Sequence, residues 1–445
     1  MKKRTVLKLI AAFILKPAIS PLFAWAGKLT NWAGNIVYST DNLTSANSID
    51  QVQSFVKAHE KFKVLGTRHC FNTIADSKQG FLSLRSLEEV VSLDAAAKTV
   101  TVQSGITYGR LAPYLHSKGF ALHNLASLPH ISVAGACTTA THGSGEKNGN
   151  LATEVASLEF VTPAGDIVEL SRKKDGDTFK GAVVGLGALG VITKITLDIQ
   201  PTFMMRQYVY QGLSFDAMKQ HFDAIESSAY SVSLFTDWQN KLFSEVWLKC
   251  REDQKPAFTA KPDFFGAKIA DKNLHPIAAL SPENCTDQMG VVGPWYERLP
   301  HFKMGFTPSA GKELQSEYFV PREHAVDAIF AVEKLASQMT PHLLITEIRA
   351  IAADDFWMSP CRNQSSIAIH FTWKQEWAAV KGLLPLIEKA LAPHNPRPHW
   401  GKLFTMPPQE LRSKYARIHD FIQLSQKYDP KGKLRNEFLD TNIFS

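Results

Sequence analysis

The chain has 445 residues, 44% hydrophobic and 20% charged, with a formal net charge of +7. That length exceeds one ordinary core, so two domains are expected, and the composition excludes extensive disorder, low-complexity tracts and solenoid repeats. Five positive charges, Lys2, Lys3, Arg4, Lys8 and Lys16, fall within residues 1–26 without an acid among them, which leaves +2 on the rest and no basic stripe for nucleic acid.

Residues 1–26 combine that basic start with an apolar run over 9–15 and with Ala24 and Ala26 in an AxA arrangement, the pattern of a secretory signal peptide. Lys16 and Pro17 break the run short of the roughly 20 residues that span a bilayer, so no stable membrane span is expected. The segment KRTVLK resembles a twin-arginine export motif with lysine in the first basic position, a route that carries folded proteins. A periplasmic or secreted protein is expected, with a cytoplasmic protein bearing a basic amphipathic tail as the alternative. Cys70, Cys137, Cys250, Cys285 and Cys361 form no CxxC pair, so no metal site is expected; free buried thiols are favoured over a disulfide.

In chain order, residues 48–60 read as a helix, with Ser48 and Gln51 in a capping-box pattern and Val52, Phe55 and Val56 on one face. A short strand over 62–65 follows, then the turn GTRHCFN. Strands are expected over 81–84 and 99–103, and a helix over 107–118 that Gly119 ends. Residues 124–145 are rich in Gly, Ser, Thr and Ala and read as a long ordered loop of functional kind. A hairpin over 158–170 and an alternating strand over 191–199 close this region.

Beyond residue 200 an aromatic-rich second domain is expected over 201–417, with strands at TEIRAI and SIAIHFTW and helices over 323–338 and 377–392. Residues 418–445 read as a helix and a turn that could return to the first domain, which covers 31–200.

Gly185, Gly187 and Gly190 spell GxGxxG, but a helix precedes them and a strand follows, the reverse of a dinucleotide-binding fingerprint; they read as a helix-to-strand turn. The loop THGSG, with Ser132, Gly135, Thr138 and Thr139 upstream, offers hydroxyls and approachable amides that suit a pyrophosphate. Taken singly, that loop reads as structural and His69 as a packed histidine. Glu347 and Arg349 lie two apart in TEIRAI, and His370 and Thr372 two apart in IHFTW, so each pair shares one strand face. On residues alone, a surface ion pair with an ordinary polar strand face is favoured over a polar cavity lining.

The ordered blocks NWAGN, GTRHCFN, NLASLPHISVAG, THGSG, GALGVIT, YSVSLFTDW, GPWYERLPHF, LQSEYFVPREHA, TEIRAIAAD, HFTW and RPHWGKLF resemble those of the FAD-dependent oxidoreductases of the vanillyl-alcohol oxidase fold, and within them the alditol oxidases, including xylitol oxidase. The likeness runs from near Asn31 to the C-terminus. It implies an α+β fold of two domains: a PCMH-type FAD-binding domain and a substrate domain built on an antiparallel sheet.

By that resemblance His69 matches the histidine bonded covalently to the flavin. Gly66, Thr67, Arg68, Cys70 and Phe71 would cradle the cofactor; Ser127, Ser132, Gly135, Thr139, Ala140, Thr141 and His142 would follow its pyrophosphate and ring. Ile192 matches a residue near its far end, and His399 one that approaches the flavin from the second domain. The substrate residues fall on Ser127, Gln315, Glu347, Arg349, Thr372 and Lys402, with His370 alongside. Arg349, Lys402 and Glu347 are the catalytic candidates, the two cations for charge developing on oxygen and Glu347 with Gln315 for more distant hydroxyls. Lys402 serves as proton acceptor only if burial or Arg349 lowers its pKa, so the base stays open.

Two departures stand out: relatives commonly carry glycine where this chain has Arg68, and serine where it has Cys70. Arg68 requires a turn that tolerates a side chain or a φ below zero. The expected reaction is oxidation of the terminal alcohol of an alditol such as xylitol or sorbitol to the aldose, with molecular oxygen reduced to hydrogen peroxide, by a monomer. The alternatives are a sugar-1,4-lactone oxidase or dehydrogenase of the same fold and a non-catalytic flavin- or sugar-binding protein. Oxygen reactivity depends on small side chains near the flavin such as Ala126.

Overall fold

The computed structural model describes residues 28–255, 257–304 and 312–445; the signal-peptide reading of residues 1–26 lies outside them. The helix Ile49–Ala58 begins where Ser48 accepts from the Gln51 amide, while the Gln51 side chain reaches back to the amide of Asn47 at 2.9 Å. It buries Val52, Phe55 and Val56. Next, Lys63–Val64 pairs in parallel with Phe81–Ser83, which pairs in parallel with Leu43–Ser45. This small sheet aims the chain into the turn at residues 66–71.

A five-stranded antiparallel sheet follows, in the order Val90–Asp94, Thr99–Gln103, Val191–Asp198, Val155–Val161, Ile167–Ser171. Its hairpin closes through Thr162 and Asp166, with Gly165 at φ 96°. The GxGxxG segment is the connection from the helix Arg172–Val183 to Val191–Asp198, as its residue order requires. A Cβ on Gly190 would fall 2.3 Å from the Phe160 ring and 2.9 Å from the Val161 carbonyl oxygen, so close approach of the neighbouring strand Val155–Val161 explains that glycine.

The 124–145 segment is not loop throughout: Val133–Thr138 is a short helix. Small side chains from Val133 to Thr138 let it pack flat, and Ala136 donates to the Ser132 carbonyl at 3.0 Å to close its first turn. The expected single helix over 323–338 is also broken. Arg322–His324 and Ala325–Glu333 are followed by Ala336–Met339, because Leu335 donates three residues back to Val332 rather than four.

The second sheet carries the substrate side. Its central strands run antiparallel in the order Met204–Ser214, Leu242–Arg251, Ser231–Thr236, Leu343–Ile351, Ser366–Lys374, Glu313–Pro321, Arg397–Pro398. Helices Phe215–Glu226, Ala325–Glu333 and Trp377–Leu391 cover one face, packing Phe222, Ile329 and Leu384 into a core with Leu234, Ile348, Ile369 and Phe371. Strand alternation sends the intervening residues to the opposite face, toward the first domain. Gly145 donates to Ala350 and Ala352 to Asn148, both at 2.9 Å, stitching the THGSG loop to that face.

The helix Ile418–Tyr428 packs Phe421 and Leu424 into the core shared with Phe179 and Leu186, and the Phe62 amide donates to the Lys433 carbonyl at 3.0 Å. Among the described residues no helix is long and apolar enough to cross a membrane, and all five cysteines are free.

Candidate active site

The turn at residues 66–71 is held by its neighbours on both sides. Asn31 donates to the Cys70 carbonyl and Asn35 to the Phe71 carbonyl, each at 2.9 Å, which accounts for the NWAGN block. From the second domain, the Phe71 amide donates to Gly401 at 2.7 Å, and Asn72 donates to the Trp400 and Lys402 carbonyls at 2.8 and 2.7 Å. The His69 turn and the Lys402 loop are therefore one rigid unit.

Arg68 adopts φ 66°, so the turn takes its left-handed shape with a side chain present rather than moving to negative φ. The guanidinium donates to the Thr30 carbonyl at 3.0 Å and the Arg68 carbonyl accepts from Trp32 at 2.8 Å. Trp32 stacks on the His69 imidazole with centroids 4.9 Å apart. Burial, then His130 and Arg68, push the His69 pKa down to about 3, so the ring is neutral and keeps a lone pair. Burial pushes the Cys70 thiol up to about 11, with Lys63 opposing, so Cys70 stays a protonated, packed thiol.

These residues line one long cleft between the two sheets, with about 1290 Å³ of empty space including its mouth. On its walls lie Gly66, Thr67, Arg68, His69, Cys70, Phe71, Ala126, Ser127, Ser132, Gly135, Thr139, Thr141, His142 and His399. A Cβ on Gly66 or Gly135 would meet Ser132 Oγ at 3.1 or 2.9 Å, so glycine keeps this wall open at the backbone. Ser132 Oγ makes no cap to its own helix and stays available. Backbone amides, hydroxyls and a neutral imidazole along an elongated groove fit a flavin dinucleotide.

The opposite wall is the cleft-facing row of the second sheet. Register places Glu317, His370 and Glu347 directly abreast on three neighbouring strands, with Gln315 beside Thr372. At their centre is Glu317, fully buried. Its Oε1 accepts from Arg349 Nη2 and its Oε2 from Lys402 Nζ, both at 2.7 Å; His142 Nε2 stands 3.3 Å from Oε1. Lys402 Nζ also lies 2.8 Å from His370 Nδ1, and His370 Nε2 lies 3.0 Å from Thr372 Oγ1. Arg349 Nη1 donates to Ser127 at 3.4 Å, joining the two walls.

Burial works against the Glu317 carboxylate, but Lys402, His142 and Arg349 hold it well below the ordinary range. Burial likewise opposes Glu347, and Arg349 and His301 keep it ionised. Burial lowers the Lys402 pKa and Arg349 adds to the effect, while Glu317 raises it. His142, His370 and His399 are pushed down by burial first and are neutral.

Gln315, Glu347, Arg349, His370 and Lys402 all line the cleft. Three expected site residues do not. Thr372 sits behind His370 as its hydrogen-bond partner. Ala140 is buried at φ 53°, shaping the loop rather than facing the groove. Ile192 packs against the first-domain core, and the cleft wall at that end is formed by Leu186 and Gly187 instead. The motifs do not single out Glu317, although it stands two residues after Gln315 on the strand Glu313–Pro321, and that spacing is the signal that reveals it. The glycine-rich turn, read as purely structural, contributes Leu186 and Gly187 to the wall.

A two-domain flavin fold with this groove defines an FAD-dependent oxidoreductase acting on CH–OH groups. Residues 41–171 match the family described as FAD binding domain, and residues 307–442 the one described as D-arabinono-1,4-lactone oxidase. The alditol oxidase of a Streptomyces species is 43% identical over 92% of this chain and 98% of its own length. The L-gulono-1,4-lactone dehydrogenase of Mycobacterium tuberculosis is 24% identical over 92% and 97%, and the L-gulonolactone oxidase of Bos taurus 24% over 93% and 97%. The crystal structure of cholesterol oxidase from B. sterolicum shares the fold, with TM-score 0.73 and 14% identity over 93% and 96% of the two chains. The chain belongs to the alditol oxidase family of flavoproteins.

Proposed function

We propose that the protein oxidises the terminal alcohol of an alditol such as xylitol or sorbitol to the aldose, with oxygen reduced to hydrogen peroxide and FAD carried covalently on His69. The observation that supports this reading is a single buried carboxylate, Glu317, that holds both Arg349 and Lys402 at 2.7 Å on the cleft wall facing His69. FAD, when bound along the first-domain wall, supplies the two-electron acceptor for the hydride.

The chain's own groups divide the remaining work. Arg349 is a fixed cation beside the reacting oxygen, its direction set by Ser127, Glu317 and Glu347. Lys402 Nζ takes the hydroxyl proton: Glu317 and His370 engage two of its positions and the third faces the cleft. Burial lowers its pKa so that it can accept, and Glu317 stabilises the ammonium once formed. Gln315 and Glu347 take more distant hydroxyls. The neutral His69 ring has the lone pair that bonding to carbon requires.

Turnover on xylitol compared with galactono-lactone tests the substrate class, and preference for the lactone overturns it. Acid-precipitated wild-type protein should stay yellow and His69→Ala should not; flavin wholly in the wild-type supernatant overturns the covalent bond. Export in folded form, directed by residues 1–26, should give a periplasmic holoprotein whose N-terminus lies beyond Ala26; only full-length cytoplasmic protein would count against it.

A further inference from the structure

Behind Glu347, outside the cleft, lies a buried chain of two groups that the reaction itself does not use. His301 Nε2 is 2.7 Å from Glu347 Oε1, and His301 Nδ1 is 3.0 Å from Lys249 Nζ. Lys249 Nζ also donates to the Leu299 and Pro300 carbonyls at 2.6 and 2.8 Å. His301 and Lys249 are 5% and 1% exposed, so the network is shut off from bulk solvent.

The protons can be assigned by counting. An ionised Glu347 at 2.7 Å demands N–H on His301 Nε2. Burial and Lys249 push the His301 pKa down to about 4, so the ring is neutral and its Nδ1 is a bare acceptor. Three acceptors then surround Lys249 Nζ, matching the three N–H bonds of an ammonium. Burial lowers the Lys249 pKa well below the ordinary value, and the nearby Glu347 carboxylate opposes that shift.

The same histidine reaches the other wall: its amide donates to the Ser127 carbonyl at 3.1 Å, and Trp247 packs edge-on against its ring at 5.2 Å. No hydrogen bond among the described residues engages Glu347 Oε2, which is left to the cleft.

We infer that Lys249 and His301 are positioning residues: Lys249 fixes the His301 tautomer, His301 pins Glu347 Oε1, and Glu347 Oε2 is thereby presented to a hydroxyl distant from the reacting carbon. The inference rests on the polyol reading for its substrate and on geometry alone for the carboxylate.

Steady-state kinetics of the holoenzyme on xylitol and on 1,2-propanediol, which has no distant hydroxyl, separate the effects for Lys249→Met and His301→Gln. Lys249→Met should raise KM for xylitol about tenfold or more, with the propanediol KM within about twofold. His301→Gln keeps a donor toward Glu347 and should leave the xylitol KM within a few-fold of wild type. Equal loss on both substrates, or no change on either, overturns the inference. Crystal structures of the two variants give an answer that needs no turnover: Glu347 should leave its wild-type rotamer in Lys249→Met and keep it in His301→Gln. An unmoved Glu347 in Lys249→Met overturns the positioning role, whereas a wild type inactive on every alditol overturns only the substrate reading.

Discussion

The buried Glu317 and the partly buried Lys402 form an ion pair with Oε2 and Nζ 2.7 Å apart, and the same carboxylate holds Arg349 through its other oxygen. This arrangement makes Glu317 the control on the proton state of Lys402. A lysine that must be unprotonated to act gives a rate that rises with pH through its pKa. Glu317→Gln removes the charge that raises this pKa, so the acid limb of kcat/KM should move to lower pH. A weaker base should also lower the plateau, by about tenfold. A limb that stays in place or moves to higher pH sinks the assignment of Lys402 as acceptor.

Arg349 touches Ser127, Glu317 and Glu347 with three different nitrogens. A lysine has one nitrogen and cannot span these positions, so Arg349→Lys should fail nearly as badly as Arg349→Ala. Each should lose about 10²–10³ in kcat, the usual scale for one donor to a developing oxyanion. Rapid-mixing measurement of flavin reduction reads this step directly. Near-wild-type reduction in Arg349→Lys would show that the guanidinium supplies charge only.

The substrate wall was legible where strand periodicity could act on it. Glu347 with Arg349 and His370 with Thr372 gave their shared faces two residues apart, and register then set His370 between Glu317 and Glu347. Glu317 carries the same signal from Gln315, but the strand Glu313–Pro321 is buried on both faces, so alternation of polar and apolar residues is blurred there. His301 and Lys249 had no local signal: one is on an irregular segment and the other on a different strand, and only tertiary packing joins them. The loop that hid a helix did so because residues 133–138 are small rather than periodic.

Arg68 holds a left-handed φ of 66° where a side chain costs about 1 kcal/mol, and its guanidinium bond to Thr30 returns a comparable amount. Arg68→Ala keeps the strained φ and loses the bond; Arg68→Gly loses the bond and the strain together. The thermal midpoint of the holoenzyme should therefore fall in Arg68→Ala and stay near wild type in Arg68→Gly, with a gap of about 1 kcal/mol between them. Alanine as stable as glycine would place the residue's value elsewhere.

Glu226, at the end of the helix Phe215–Glu226, is fully buried and neither carboxyl oxygen has a hydrogen-bond partner. Burial raises its pKa to about 8, with Arg322 opposing and Glu146 and Asp223 reinforcing. The folded state thus binds this proton more tightly than the unfolded chain. The contribution to stability is complete below the ordinary value of 4.5 and is lost as pH rises through about 8. Glu226→Gln cannot ionise, so it should match wild type in chemical denaturation at pH 4.5 and exceed it at pH 9 by on the order of 3 kcal/mol. Parallel stability curves across that range would mean that the carboxyl group finds a partner or water when it ionises.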